Sequence, residues 1–164
     1  RPYATSSLPG ITSTRILEQD THLFLFADNG LWLFPIDQAP QLLAKTYNPA
    51  QVVSTDAYAL WWSDHAITIY WTLPDQDMPL YQALRTEIIY KTEKTIKQAA
   101  PYPEESYIVF QEDNTIYTLE LDGRGGTRNK HIVYEGTNPQ FHVPPDEKII
   151  YILDNGSVFS IELP

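Results

Sequence analysis

The residues with chemical potential in this chain are scattered. Four histidines occur, His22, His65, His131 and His142. A metal site needs two or three such ligands converging with a carboxylate, and these four fall at different places in the repeated pattern set out below. Asp75-Gln76-Asp77 alternates acids, yet the remaining ligands and the glycine of a calcium loop are missing, so a solvated turn is expected. The paired acids Glu104-Glu105 and Glu112-Asp113 lie at turns, where solvation predicts no shifted acid–base pair. There is no cysteine and no Gly-x-Ser-x-Gly turn for a nucleophile. These residues predict no catalytic centre, no metal and no cofactor.

Two features suit binding. Met78, Leu80 and Tyr81 are apolar residues on a long loop, a pattern that marks either a contact surface or a loop folded back on its own sheet. His142 belongs to a short segment with Gln140 that an innermost strand would turn toward a central channel. Arg124, Arg128, Lys130 and His131 form the one basic cluster. The glycines between them fit a turn, and a formal charge of −10 argues against nucleic acid. Asn155-Gly156-Ser157 reads as a glycosylation acceptor, but Asn-Gly between two strands is sufficiently explained as a hairpin turn.

The elements that must carry these residues repeat. Ser106–Gly123, SYIVFQEDNTIYTLELDG, reads as strand, turn, strand. Tyr107–Phe110 is apolar on both faces, which predicts burial on both. In the second strand Thr118 and Glu120 alternate with Tyr117, Leu119 and Leu121, which predicts one solvated face. Variants of this hairpin start at Leu23–Phe26, Ala59–Trp62, Tyr107–Phe110 and Ile149–Ile152. Their second strands are Leu31–Asp37, Thr68–Pro74, Ile116–Asp122 and Val158–Pro164. Aligning Phe26, Trp62, Phe110 and Ile152 gives intervals of 36, 48 and 42.

A short segment precedes each hairpin: Ile11–Leu17, Gln51–Ser54, Lys97–Pro101 and Gln140–Val143. An outer strand follows the first three, at Gln41–Thr46, Glu87–Lys91 and His131–Glu135. Strand-rich units at periods near 40 predict an all-β chain, a β-propeller of four consecutive four-stranded blades. The blades span about 11–47, 50–92, 95–136 and 139–164, the last without its outer strand in sequence order. Residues 1–10 form an N-terminal segment, of which Arg1–Pro9 is a candidate for the missing ring-closing strand. Tyr81–Ala100 also holds helix formers; Thr86–Thr92 is β-rich and the repeat frame favours a strand.

The chain of 164 residues suffices for one domain that buries roughly 70% of its unfolded surface. With 43% hydrophobic residues it reads as globular, and no apolar run reaches the roughly 20 residues of a membrane span. Its first residue is Arg, so a processed product or a cut-out piece is expected, with no compartment indicated by the residues themselves.

From about Ile11 onward the repeat resembles the TolB-type, PD40-like (WD40-like) propeller repeat, whose core runs W-S-P-D-G-K-x-I-A-F, a turn, then I-Y-x-x-D-L-D-G. In the fourth copy Pro145, Asp146, Lys148 and Ile150 match, with Glu147 for the glycine and Val143 for the tryptophan. The third matches at Pro103, Ile108, Phe110, Ile116, Tyr117, Leu121, Asp122 and Gly123, with Glu104 for the aspartate. Ser54, Asp56, Leu60 and Trp62 fit in the second, and Asp20 and Phe26 in the first. The resemblance implies a non-catalytic scaffold that binds another protein or a surface glycan through its loops, in an extracytoplasmic or cell-surface setting. Two alternatives remain open. The chain is a half-propeller that pairs as a homodimer into an eight-bladed ring or belongs to a larger propeller; or it is a hydrolase or lyase that uses the central channel.

Overall fold

The computed structural model describes residues 14–19, 22–27, 30–35, 39–45, 52–55, 57–72, 85–103, 106–123 and 126–163. These form fifteen β-strands in four antiparallel sheets, with no helix among the described residues. Two compact units divide the chain, Arg1–Ala50 and Gln51–Pro164.

The first unit holds one sheet: β1 (Thr14–Gln19), β2 (His22–Ala27), β3 (Gly30–Pro35) and β4 (Gln41–Ala44), in that order. The second unit holds three. Its first sheet, the second of the chain, runs β5 (Val52–Ser54), β6 (Tyr58–Ser63), β7 (Ala66–Trp71) and β8 (Thr86–Lys91). The third runs β9 (Ile96–Pro101), β10 (Tyr107–Glu112), β11 (Thr115–Glu120) and β12 (Lys130–Glu135). The fourth has three strands, β13 (Gln140–His142), β14 (Ile149–Asp154) and β15 (Ser157–Glu162). Every sheet is a meander, because each connection joins neighbours. The helical alternative over Tyr81–Ala100 gives way to β8 and β9 within the described residues 85–100.

Short turns make the hairpins. Asn155 and Gly156 take φ of 50° and 77° between β14 and β15, the two-positive geometry that fits the twist of paired strands and that Asn-Gly favours. Between β10 and β11 Asp113 alone takes a positive φ, 51°. The hairpin-closing pairs are Ala27–Gly30, Ser63–Ala66, Glu112–Thr115 and Asp154–Ser157. In this register the repeat intervals are 36, 49 and 42.

The sequence alignment of Trp62 with Phe110 is therefore one residue out. A one-residue slip turns a strand residue to the other face of its sheet. Tyr58, Leu60 and Trp62 face the third sheet, and Ile108 and Phe110 face back at them in one core with Ile67, Ile69 and Trp71. A second core joins the third sheet to the fourth through Val109 and Ile116 on one side and Phe141, Ile150 and Ile152 on the other. The third sheet is thus covered on both faces. This corrects the expected solvated face of β11: Thr118, paired with Val109, is buried, and Glu120 is half-buried.

Candidate functional site

In the second unit the hairpin turns of the second and third sheets bond to the links that enter β9 and β13, so one end of the unit gathers turns, charges and strand ends. Asp113 N–H donates to the Thr95 carbonyl at 2.9 Å, Gly136 N–H to Asn114 at 3.1 Å and Ile96 N–H to Asp64 at 2.8 Å. Within this end lies a cleft of about 290 Å³ between the inner strands of the third and fourth sheets, lined by Lys97, Gln98, Gln111, Asn138, Gln140 and Phe141.

Gln98 and Gln111 are cross-strand partners on β9 and β10. Their amides fix the walls: Gln98 donates to the Phe141 carbonyl at 2.9 Å, tying the third sheet to the fourth, and buried Gln111 donates to the Asp113 carbonyl at 2.9 Å. Lys97 donates to Asn114 Oδ1 at 3.3 Å and stays exposed. Asn138 and Gln140 are exposed as well. The lining offers carboxamides and one ammonium and no carboxylate. Such a cleft can hold carbonyl, hydroxyl or carboxylate groups.

Behind the turns sit two buried acids. Glu112 is 2% exposed. Tyr90, from the outer strand of the preceding sheet, donates its hydroxyl to Glu112 Oε1 at 2.7 Å. Lys130 donates to the Tyr90 oxygen at 2.7 Å and to Glu112 Oε2 at 3.4 Å. Its ammonium lies 4.1 Å from the Tyr117 ring centre and 4.9 Å from that of Tyr90, within cation–π range. Burial alone would raise the Glu112 pKa, but hydroxyl hydrogen bonds from Thr92 and Tyr90 and the Lys130 charge bring it below its ordinary value. Burial lowers Lys130, and Tyr90, Glu112 and Tyr117 outweigh it and leave it raised.

The fourth sheet repeats the device. Asp154 accepts from Asn138 N–H at 2.9 Å, Thr137 N–H at 3.1 Å and the Tyr134 hydroxyl at 3.1 Å. The Asn138 bond leads in lowering its pKa, burial opposes, and the Thr137 and Tyr134 bonds add to the lowering. Tyr90 and Tyr134 occupy one register position, opposite Ile67 and Ile116, as do Glu112 and Asp154 at the hairpin closures. The expectation of solvated, unshifted acids at Glu112-Asp113 is corrected: the preceding sheet's outer strand covers Glu112, which points inward from its turn. A tyrosine 22 or 20 residues before the acid was the signal available in the sequence.

Other expected site residues disperse. Met78, Leu80 and Tyr81 lie outside the described residues, as do Asp75-Gln76-Asp77, Glu104-Glu105 and Arg124. His142 is exposed on β13, opposite Tyr151 and on the same face as Gln140, but it does not line the cleft. His65 Nδ1 lies 2.9 Å from the Lys94 carbonyl, and His131 is exposed on β12. The basic cluster is spent internally: Arg128 bonds Glu87 at 2.7 Å and the Leu121 carbonyl at 3.1 Å, and Lys130 serves Glu112. Among the described residues no three His, Asp or Glu side chains could share a metal ion.

No protein-family model matches the chain, and no curated protein sequence does. Solved structures share its fold. The Kluyveromyces lactis Hsv2 structure with a complete loop 6CD matches at TM-score 0.57 and 6% identity, over 90% of this chain and 47% of that one. A chain of the yeast heterotrimeric Nup82–Nup159–Nup116 nucleoporin complex matches at TM-score 0.53 and 15% identity, over 92% and 43%. The chain thus spans less than half the length of either, and the likeness is one of fold alone.

Proposed function

We propose that this chain is a non-catalytic scaffold of β-propeller type, built of TolB-type, PD40-like repeats, which binds a partner protein at the turn-bearing end of its second unit. One observation carries the reading. The buried groups that could do acid–base work are held away from neutrality: Glu112 and Asp154 are lowered, Lys130, Tyr90 and Tyr134 are raised, and Tyr70 is pushed up to about 12 by burial. A general acid or base works best with its pKa near the operating pH. Glu112 with Tyr90 and Lys130, and Asp154 with Tyr134, instead join one sheet to the next beside the turns, leaving the amide-lined cleft as the concave surface for a partner's backbone carbonyls and acidic side chains.

The test is to pan a random peptide library on the immobilised chain and map binders by chemical-shift change. Binders that perturb Gln98, Asn138 and Gln140, and that Lys97→Glu weakens without altering the melting temperature, support the reading. Binders that leave these residues untouched defeat it.

The solved chains are about twice as long, which supports a second reading, in which two copies pair to complete a larger ring or the sequence is part of a larger propeller. A solution mass of one chain at high concentration would end the pairing.

A further inference from the structure

The third sheet and the link that enters it carry three lysines, Lys94, Lys97 and Lys130. Two are spent on one buried acid: Lys94 Nζ lies 3.7 Å and Lys130 Nζ 3.4 Å from Glu112 Oε2. Lys97 differs. Its partner among the described residues is the neutral Asn114 Oδ1, at 3.3 Å. That bond comes from the turn between β10 and β11, and it holds an ammonium with no acid beside it in the lining of the cleft.

The rest of the lining suits an anion. Glu112 and Asp113 follow Gln111 in the chain and Asp154 holds Asn138, yet none of these acids lines the cleft. Glu112 turns to Tyr90 and Lys130, Asp113 Oδ1 accepts the Thr95 N–H at 3.2 Å, and Asp154 is engaged by Thr137, Asn138 and Tyr134. The amides of Gln98 and Gln111 are oriented without ambiguity, because only their nitrogens can donate to the Phe141 and Asp113 carbonyls. Each keeps a second N–H. Asn138 and Gln140 add exposed carboxamides, and Pro139 and Phe141, both buried, give the lining its apolar part.

We infer that the cleft is a carboxylate site, in which Lys97 selects a carboxylate over a neutral carbonyl and Asn114 is the positioning residue that holds Lys97 in place. The inference rests on the reading of the cleft as the partner-binding surface and narrows it to one chemical group. A volume of about 290 Å³ lies at the small end of ligand pockets, roughly 300–1,000 Å³, so the cleft takes one residue of the partner rather than a stretch. An aspartate or glutamate side chain and a chain end both supply the group and make the same charge-assisted bonds. The chain as a whole, at net charge −10, repels acidic partners at long range. Selection therefore falls to the short-range contact with Lys97.

Three small probes test this by chemical-shift change in the whole chain. N-acetylglutamate α-amide carries a side-chain carboxylate, N-acetylleucine a terminal one, and N-acetylglutamine amide is the neutral isostere of the first. The carboxylate probes should shift the side-chain amides of Gln98, Asn138 and Gln140. They should bind about two- to fivefold more tightly than the glutamine probe, with a preference that salt erodes. Lys97→Met should erase that preference and Lys97→Arg should keep it. Asn114→Asp retains an acceptor for Lys97 but cancels its charge. It should weaken the carboxylate probes while leaving the glutamine probe and the melting temperature unchanged. A response to only one carboxylate probe supports the inference and identifies the source of the group. Equal binding of the glutamine probe overturns the inference and leaves the cleft reading standing. Carboxylate binding that survives Lys97→Met overturns it too, as does the lack of any shift at the cleft at tens of millimolar probe. The peptide panning decides the cleft reading separately: binders that occupy the cleft with neither an acidic residue nor a free chain end would sink the carboxylate assignment alone.

Discussion

In the third sheet Ile108 and Phe110 face the second sheet, Val109 and Ile116 face the fourth, and all four are fully buried. In the fourth sheet Ile150 and Ile152 are equally buried toward the third, but Tyr151, Leu153 and Val158 on the opposite face are 37%, 44% and 70% exposed. The two hairpins are built alike, with matched lengths, matched closures and positive-φ turns. A hairpin of this kind therefore does not set its own burial. Its neighbours do, and the fourth sheet lacks one on a face and one on an edge among the described residues.

Substitutions should separate the two sheets. Phe110→Ala removes a ring stacked 5.3 Å from Tyr117 and 4.8 Å from Tyr90, and should cost about 3–5 kcal/mol in denaturant melts. A loss under about 1 kcal/mol would mean that the second and third sheets do not share one core.

Glu112→Ala comes next. It strands the Tyr90 hydroxyl and leaves Lys130, 31% exposed, to rehydrate, for an expected loss of about 1–3 kcal/mol. Asp154→Ala, with two backbone donors orphaned, should lower the melting temperature in the same direction. If only one acid mattered, the shared register of the two would have no energetic meaning.

The acids also set a pH dependence. Their folded-state pKa values lie below the ordinary 4.5 and 3.8. Their contribution is therefore whole above those values and drains away as pH falls through the lower folded ones. Lys130 acts oppositely: raised above 10.5, it contributes fully below that value and loses its contribution only as pH climbs past it. Thermal melts from neutral to acidic pH should show a falling limb below about pH 4.5 that Glu112→Gln flattens; an identical limb in the variant would remove Glu112 from the account.

Gly136→Ala is a finer probe. An added Cβ meets Asp154 Oδ2 and lies 2.7 Å from the Tyr134 ring, so it should loosen the Tyr134–Asp154 contact and cost about 1–3 kcal/mol by overpacking. The smallest effect belongs to the open face: Leu153→Ser should fall within about 0.5 kcal/mol of wild type, and a large loss there would reveal a cover on that face.

The sequence alone determined the strands and their order. Runs such as YIVF and IIYI with Asp, Asn and Gly between them leave few other local structures, because β-branched and aromatic residues favour the pleat and those turn residues tolerate positive φ. The three strands of the fourth sheet among the described residues were readable from the repeat frame as well. The candidate site was not. The cleft residues Gln98, Gln111 and Asn138 have no pattern of their own and meet only because two inner strands lie side by side. Glu112 looked solvated because it sits one residue from a turn, and only the packing of β8 behind it turned it inward. Trp62 and Phe110 look equivalent as letters in similar strings. A hairpin closes on a pair, and one residue of difference in the approach puts the two rings on opposite faces of their sheets, pointing at each other. Local chemistry chose the strands; the stacking of sheets decided which residues became core, which acids became joints, and which edge stayed open.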